Sequence, residues 1–457
     1  MRFNPLCLLL TAAGMYLLVK LRFFYIVHPL RTAKKAFASF KGTSVIQSLM
    51  LALAGTLGVG NVFGVCLGII IGGEGSVFWM FISVIFSSVL KYCEVVLSHD
   101  NLSHGEDGVH GSMFYILISA FKRIGGFLAF LYASFCLMLS LSMGAALQSG
   151  TASETIVDLF DTPPVLFGII FTIVILFSIV KGVKIIEKIT LAAIPLATIV
   201  YIFVTVALIT VNFDNIGSVT VRIISDAFSP MSLGGGIIPF LMSRGIREGY
   251  SRGILSNEAG CGTSTMAHSR SGILNPASAG LMGIIEVVFD TGVLCMLTAF
   301  AVLTSIPDTS IYTTGMALIL DAVENTLGSS YTYAILISVI IFAYSTVVCW
   351  YFYGSECFTF IFGKTRKILF LPIFISAVFF GTVADNYFLV ALTDIFIFAL
   401  AILSVSALIK KSDRIKLLSE KGGVLPKRKL KIKIKGNGFS KEELRQGARA
   451  YFRYHSR

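Results

Sequence analysis

The sequence predicts an all-α fold that crosses a membrane many times, and three observations carry the prediction. Apolar residues make up 55% of the 457-residue chain and charged residues only 14%, whereas soluble domains carry about 25% charged residues. The mean hydropathy is +0.84. Apolar runs of roughly 20 residues, enough to cross a hydrocarbon core of about 30 Å, recur along most of the chain. A transmembrane barrel would show shorter, alternating segments instead.

Eleven spans can be drawn, at roughly residues 4–20, 44–71, 76–98, 127–150, 164–180, 188–211, 232–250, 279–304, 332–362, 368–383 and 387–409. The first is preceded only by Arg2 and followed by no clear small-residue cleavage site, so it reads as a retained helix. The eight cysteines lie mostly inside apolar runs without CxxC spacing and read as buried free thiols. The six histidines show no metal-ligand spacing, and no P-loop is present. No nucleophile–base or metal constellation stands out, which argues against an enzyme and for no resident cofactor.

Charge gives an orientation. With the amino terminus outside, only Arg2 and Arg222 of the 37 basic residues fall in outer connections. The inner loops then hold Lys20, Arg22, Arg31, Lys34 and Lys35, later Arg244, Arg247, Arg252 and Arg270, and later still Lys364, Arg366 and Lys367. That is the positive-inside pattern, and it leaves the carboxyl terminus in the cytoplasm. Residues 410–457 contain no span-length apolar run and supply much of the net charge of +12. Such a tail fits anionic lipid of the inner leaflet better than nucleic acid. Ser440 and Glu443 form a capping-box pattern, which predicts a short helix there.

Within the second span, "GTLGVGNVFGV" places Gly55, Gly58, Gly60 and Gly64 around Asn61. Glycine is about 1 kcal/mol worse than alanine inside a helix, and a buried asparagine must find a hydrogen-bond partner. Irregular backbone survives at membrane depth only where protein or a water-lined cavity surrounds it. Broken transporter helices use it: freed carbonyls coordinate cations, and amides at a half-helix start hold a carboxylate. Close helix packing through small residues is the competing reading; Asn61 favours a site.

A second candidate break, "SLGGGIIPF" with Gly234, Gly235, Gly236 and Pro239, follows five spans later. Paired interruptions point to an inverted-repeat transporter. The domains are then an extra helix and basic loop at 1–43, a first repeat at 44–211, a second at 212–409 and the tail at 410–457. Gln148 is a polar residue near the end of the fourth span. Ser345 and Thr346 are adjacent hydroxyls in the ninth, and Trp350 follows Thr346 by four residues, on the same helix face. Lys91 and Glu94 read as a structural ion pair, with lysine snorkelling to the inner surface, or as a proton relay. No acid is evident in the broken segments.

Several long motifs are familiar in this order. "LAGTLGVGNVFGVCLGIIIGGEGSVFWMFISVIFSSVLKYCEVVLS", "YSRGILSNEAGCGTSTMAHS" and "IIFAYSTVVCWYFYGSECFTFIFG" resemble signatures of the alanine/glycine:cation symporters, as does the last helix "ALTDIFIFALAILSVSAL". The resemblance covers about Leu6 to Leu408. It implies an APC-type, LeuT-like 5+5 inverted repeat of ten core helices behind one extra helix. It also implies import of alanine, glycine or D-alanine with sodium across a prokaryotic inner membrane. By the same resemblance, Asn61, Gln148, Thr346 and Trp350, with the backbone of Gly58, Gly60 and Gly235, contact the amino acid. The main-chain carbonyls of Ala54 and Leu57, with Ser345 and Thr346, hold sodium. Val59 stands where the family commonly has threonine, and Pro239 where a glycine is usual. Proton coupling, a channel, and an amino acid sensor signalling through the basic tail are the alternatives.

Overall fold

The computed structural model describes residues 5–39, 43–105, 108–181, 183–228 and 244–425. The predicted break at Gly234–Pro239, Gly235 included, and the predicted helix after Ser440 lie outside the described residues. The helices used below are α1 (Pro5–Lys20), α2 (Thr43–Thr56), α3 (Phe63–Gly72), α4 (Gly75–Asp100) and α5 (Gly125–Phe160). They continue with α6 (Pro164–Val180), α7 (Val183–Val211), α8 (Arg244–Asn257), α9 (Pro276–Ser305) and α10 (Ser329–Phe362). The last three are α11 (Phe370–Gly381), α12 (Asn386–Lys410) and α13 (Ser412–Lys421). A three-residue antiparallel ribbon pairs Ser103–Gly105 with Gly108–His110.

Six of the described helices are long and apolar enough to cross a membrane, and the bent pair α2–α3 makes a seventh. α1 and α6 are apolar but shorter. The all-helical membrane fold is therefore as the sequence predicts. All eight cysteines are free and buried.

Two interruptions divide the fold. The first bends α2 against α3 by 61°. The chain is extended at Gly58 (φ −123°, ψ −162°) and then makes one 3₁₀ turn over Val59–Asn61. The second follows α8, where Glu258 (φ 53°), Gly260 (φ 91°) and Gly262 (φ 78°) all adopt left-handed backbone. Glycine takes this conformation freely, but an L-residue such as Glu258 does so at a cost. The stretch between α8 and the short helix Thr265–His268 thus interrupts the chain downstream of the glycine run from which a break was expected. In chain order, α4–α7 follow the first interruption and α9–α12 the second.

α8 also departs from the seventh span as drawn. It is polar, and Arg252, assigned from sequence to an inner loop, is 3% exposed. Its guanidinium donates to Asp394 of α12 at 2.9 Å and pairs with Glu248 at 3.4 Å. An arginine near two carboxylates can be buried where an unpaired one could not.

α5 and α9 each widen into a π-helical stretch, Ser140–Leu147 and Val288–Cys295. Such stretches are uncommon and re-aim side chains. Gln148 follows the first, and Asp290 lies in the second; both side chains reach the α2–α3 interruption. Within the first stretch, Gly144 lies against Trp350 of α10: a Cβ there would sit 2.3 Å from the Trp350 Cβ.

The chain to Leu425 forms one compact unit. Its last helix, α13, is tied down by Lys20–Asp413 at 2.6 Å, Arg414–Asp100 at 2.6 Å and a Tyr92–Ser419 hydroxyl contact at 2.7 Å. The hydrogen bond from Lys20 holds the Asp413 carboxyl below the usual carboxylate range. Gly144→Ala should overpack the α5–α10 contact and cost about 1–3 kcal/mol. A clear fall in the thermal transition of the purified protein checks this.

Candidate functional site

The α2–α3 interruption frees backbone groups that a straight helix would pair. Ala54 O would ordinarily accept from the amide of Gly58, but that amide bonds Thr56 O at 2.8 Å. α10 supplies the replacement donors. The Thr346 hydroxyl lies 2.9 Å from Ala54 O and 3.3 Å from Leu57 O. The Trp350 indole donates to Gly55 O at 3.2 Å, and the Cys349 thiol to Leu51 O at 3.3 Å. Residues 346, 349, 350 and 353 form one face of α10 laid along the end of α2. Trp350 is fully buried, so it is no interfacial anchor.

Three oxygens therefore converge, two carbonyls and one hydroxyl, none carrying a charge. A hard monovalent cation favours oxygen ligands of this kind. Ser345 is not among them: its hydroxyl donates to Ile341 O at 2.7 Å and Phe342 O at 3.0 Å of its own helix.

On the amide side, Gln148 Oε1 accepts from Val59 N–H at 3.0 Å. Both groups crowd Gly58: a Cβ there would lie 2.8 Å from Gln148 Oε1 and 2.9 Å from Thr346 Oγ1. Gly60 backs onto α8, its added Cβ 3.4 Å from Ser256 Cα. Asn61, 1% exposed, turns away from α10. Its amide nitrogen lies 2.8 Å from Asp290 Oδ1 and 3.0 Å from Ser256 Oγ, while its carbonyl oxygen has no partner among the described residues. Ser256 in turn donates to Asp290 Oδ2 at 2.5 Å. Thr298 donates to the backbone oxygen of Asn61 at 2.9 Å.

Asp290 brings to the first broken segment an acid that lies outside it in sequence. It is fully buried on α9 and touches Asn61 directly. Its signal was in the sequence, one aspartate inside the apolar run "IIEVVFDTGVLCMLTAF", and an ionisable residue at membrane depth is a functional candidate by default.

Lys91 and Glu94 are placed differently from their expected pairing. Lys91 bonds Glu286 at 3.2 Å and Ser264 at 2.8 Å, and Glu286 also meets His268 at 2.6 Å. Glu94 instead accepts the amide of Gly262 at 2.8 Å and the Ser404 hydroxyl at 3.1 Å. Lys91 and Glu94 are both 0% exposed, so the lysine does not snorkel. The spacing of three suggested a pair, but α9 lies closer to Lys91 and carries its own acid.

A cleft of about 400 Å³ opens beside Phe63, the first residue of α3, and is lined by Gly150, Glu154, Asp158, Thr314 and Asp385 among others. Its acidic rim attracts cations at low ionic strength.

The family model described as the sodium:alanine symporter family matches residues 1–418. The chain belongs to this family. An uncharacterized transporter, YflA, of Bacillus subtilis (strain 168) is 29% identical over 426 residues, covering 91% of this chain and 89% of that protein. The sodium/alanine symporter AgcS of Methanococcus maripaludis is 30% identical over 397 residues, covering 82% and 85%. The probable sodium/glutamine symporter GlnT of Bacillus subtilis (strain 168) is 27% identical over 413 residues, covering 88% and 84%. The family is one of transporters and not of enzymes. This symporter is accordingly an integral membrane protein that moves amino acids with a cation, sodium being the family's coupling ion.

The symporter's buried charges set a demand on its stability. Removing one partner of a buried ion pair costs about 3–5 kcal/mol, because the other charge is left uncompensated. Lys91→Ala should lose about that much, while Lys91→Met with Glu286→Gln should lose less. Thermal unfolding of the three proteins in detergent compares them directly.

Proposed function

We propose that the symporter imports alanine or glycine, bound at the α2–α3 interruption together with sodium. The observation that carries this reading is the convergence of Ala54 O, Leu57 O and Thr346 Oγ1 beside Gly58, with Gln148 on the adjacent Val59 amide. Sodium would take the three oxygens, and the Thr346 hydroxyl would turn its hydrogen away. The amino acid carboxylate would take over the amide that Gln148 occupies, leaving Gln148 free to meet the ligand. Asn61 orients the start of α3, and the charge of Asp290 behind it helps to balance the ammonium. Both D-alanine and L-alanine fit this chemistry.

Size selection follows from packing. Trp350 fills the space between α2 and the π-helical stretch of α5, so a larger side chain meets an indole that Gly144 already confines. Sodium bound across α2 and α10 fixes the interruption and raises substrate affinity, and the coupling is reciprocal. The interruptions begin two five-helix repeats, at about 44–211 and 212–409. The amino terminus lies outside, and the basic tail, residues 410–457, meets anionic lipid of the inner leaflet.

Labelled alanine uptake into proteoliposomes tests the reading. Concentrative uptake with an imposed sodium gradient is expected; uptake driven by a proton gradient alone would replace the ion, and none with either would refute the substrate. Thr346→Val removes one ligand and one hydrogen bond worth about 1–3 kcal/mol when lost from a buried partner. It should raise the sodium needed for half-maximal uptake by about tenfold or more. Asn61→Ala should abolish uptake in protein that still folds, and Trp350→Ala should admit larger amino acids in competition assays.

A further inference from the structure

The second interruption carries more negative charge than its neighbours cancel. Lys91 is committed to Glu286 and Ser264. Two carboxylates held by the adjoining loop have no cation in contact among the described residues. Glu94 is 0% exposed and accepts two hydrogen bonds on Oε1, but its Oε2 has no partner among the described residues. Glu258 is 1% exposed, and its Oε2 accepts only from the Thr263 hydroxyl at 2.5 Å; Oε1 has none. Glu94, Glu258 and Glu286 face Lys91 and, at most, a doubly protonated His268. One negative charge is left over, and Asp290 adds another.

A carboxylate shut away from water without a partner is heavily penalised as an anion and takes up a proton instead. Glu94 is the better solvated of the two, with two donors on its charged form. Glu258 has one donor and a strained backbone. A second metal ion is disfavoured, because the fixed charge of Lys91 faces the same loop, whereas a proton needs one oxygen. The ionisable groups facing Glu258 are Lys91 from α4 and Glu286 and Asp290 from α9. Cys136 of α5, Cys261 of its own loop, and Cys349 and Tyr353 of α10 complete its surroundings.

We propose that Glu258 is a proton-binding site of this symporter, holding its proton in the described conformation and exchanging it with water when the loop 258–263 rearranges. The link to the first interruption is short. Ser256, two residues before Glu258, donates to Asp290 and lies 3.0 Å from the Asn61 amide nitrogen. A ligand that draws Asn61 away from Asp290 shifts α8 and changes the field at Glu258. The exchange is a simple dissociation, carboxylic acid to carboxylate plus a proton released to water.

The proposal takes only the membrane location from the transporter reading, and its test needs no transport. Infrared difference spectroscopy of the full chain in lipid vesicles, in choline buffer without sodium or amino acid, reads the C=O stretch of protonated carboxyls. A band that is lost as the pH is raised is expected. It should shift when the protein carries glutamate labelled with heavy carbon at the side-chain carboxyl. It should be absent from Glu258→Gln and kept in Glu94→Gln and Asp290→Asn. Should Glu258→Gln fail to fold, Glu258→Asp retains a carboxyl that the label cannot reach, and its band should no longer shift. A band that the label leaves unmoved, or that persists in folded Glu258→Gln, overturns the proposal. So does the lack of any such band together with sodium-dependent stabilisation that Glu258→Gln removes, since sodium is then the counter-charge.

Discussion

Every backbone polar group cut loose inside the membrane must find a partner in the protein, because no lipid tail can supply one. The rest of the structure follows from meeting that demand at the α2–α3 interruption. α10 presents Thr346 and Trp350 to the carbonyls of Ala54, Gly55 and Leu57 at the break, and Cys349 to Leu51 O one turn earlier. α5 presents an acceptor, Gln148, to the first exposed amide. α9 brings Thr298 to the backbone oxygen of Asn61 and Asp290 to its side chain. The places that satisfy the interruption are also those where a charged amino acid and its ion can exchange for protein groups. Satisfying the break and binding the ligand draw on the same hydrogen-bond partners.

The two π-helical stretches belong to the same requirement. An α-helix repeats its facing positions at fixed spacing, so one straight helix cannot always aim a polar side chain at an irregular target. Widening α5 just before Gln148, and α9 around Asp290, redirects those side chains towards the break. Glycine provides the clearance. The missing Cβ of Gly58 leaves room for both Gln148 and Thr346, and that of Gly144 for the Trp350 side chain.

Much of this was legible in the residues. The membrane class follows from hydropathy, and the first break from glycines around an asparagine, since both features are costly in lipid. Ala54, Leu57, Gln148, Thr346 and Trp350 are brought to that break as the motifs suggested. The break expected at 234–239 lies outside the described residues; the described second interruption sits among Glu258, Gly260 and Gly262, in a polar stretch that glycine spacing alone does not single out. Partner choice was hardest to read. Spacing along one helix joined Lys91 to Glu94, but tertiary packing gave Lys91 to Glu286 on another. Ser345 and Thr346 look equivalent in sequence; the roughly 100° of helix phase between neighbouring residues sends one hydroxyl to α2 and the other to its own backbone.

The attachment of α13 has a consequence for how the chain is made. Tyr16 meets Ser412 across 396 residues of sequence, and Arg22 meets Glu420 across 398. Contacts this distant form only after the chain through Ser412 and Glu420 has been made. Until then α1 waits with its Lys20 end uncovered, and Tyr92 and Asp100 of α4 wait with it. Docking of α13 is therefore a late step of assembly, and a chain cut short before Ser412 would keep its spans but lack the segment that joins the end of α1 to α4.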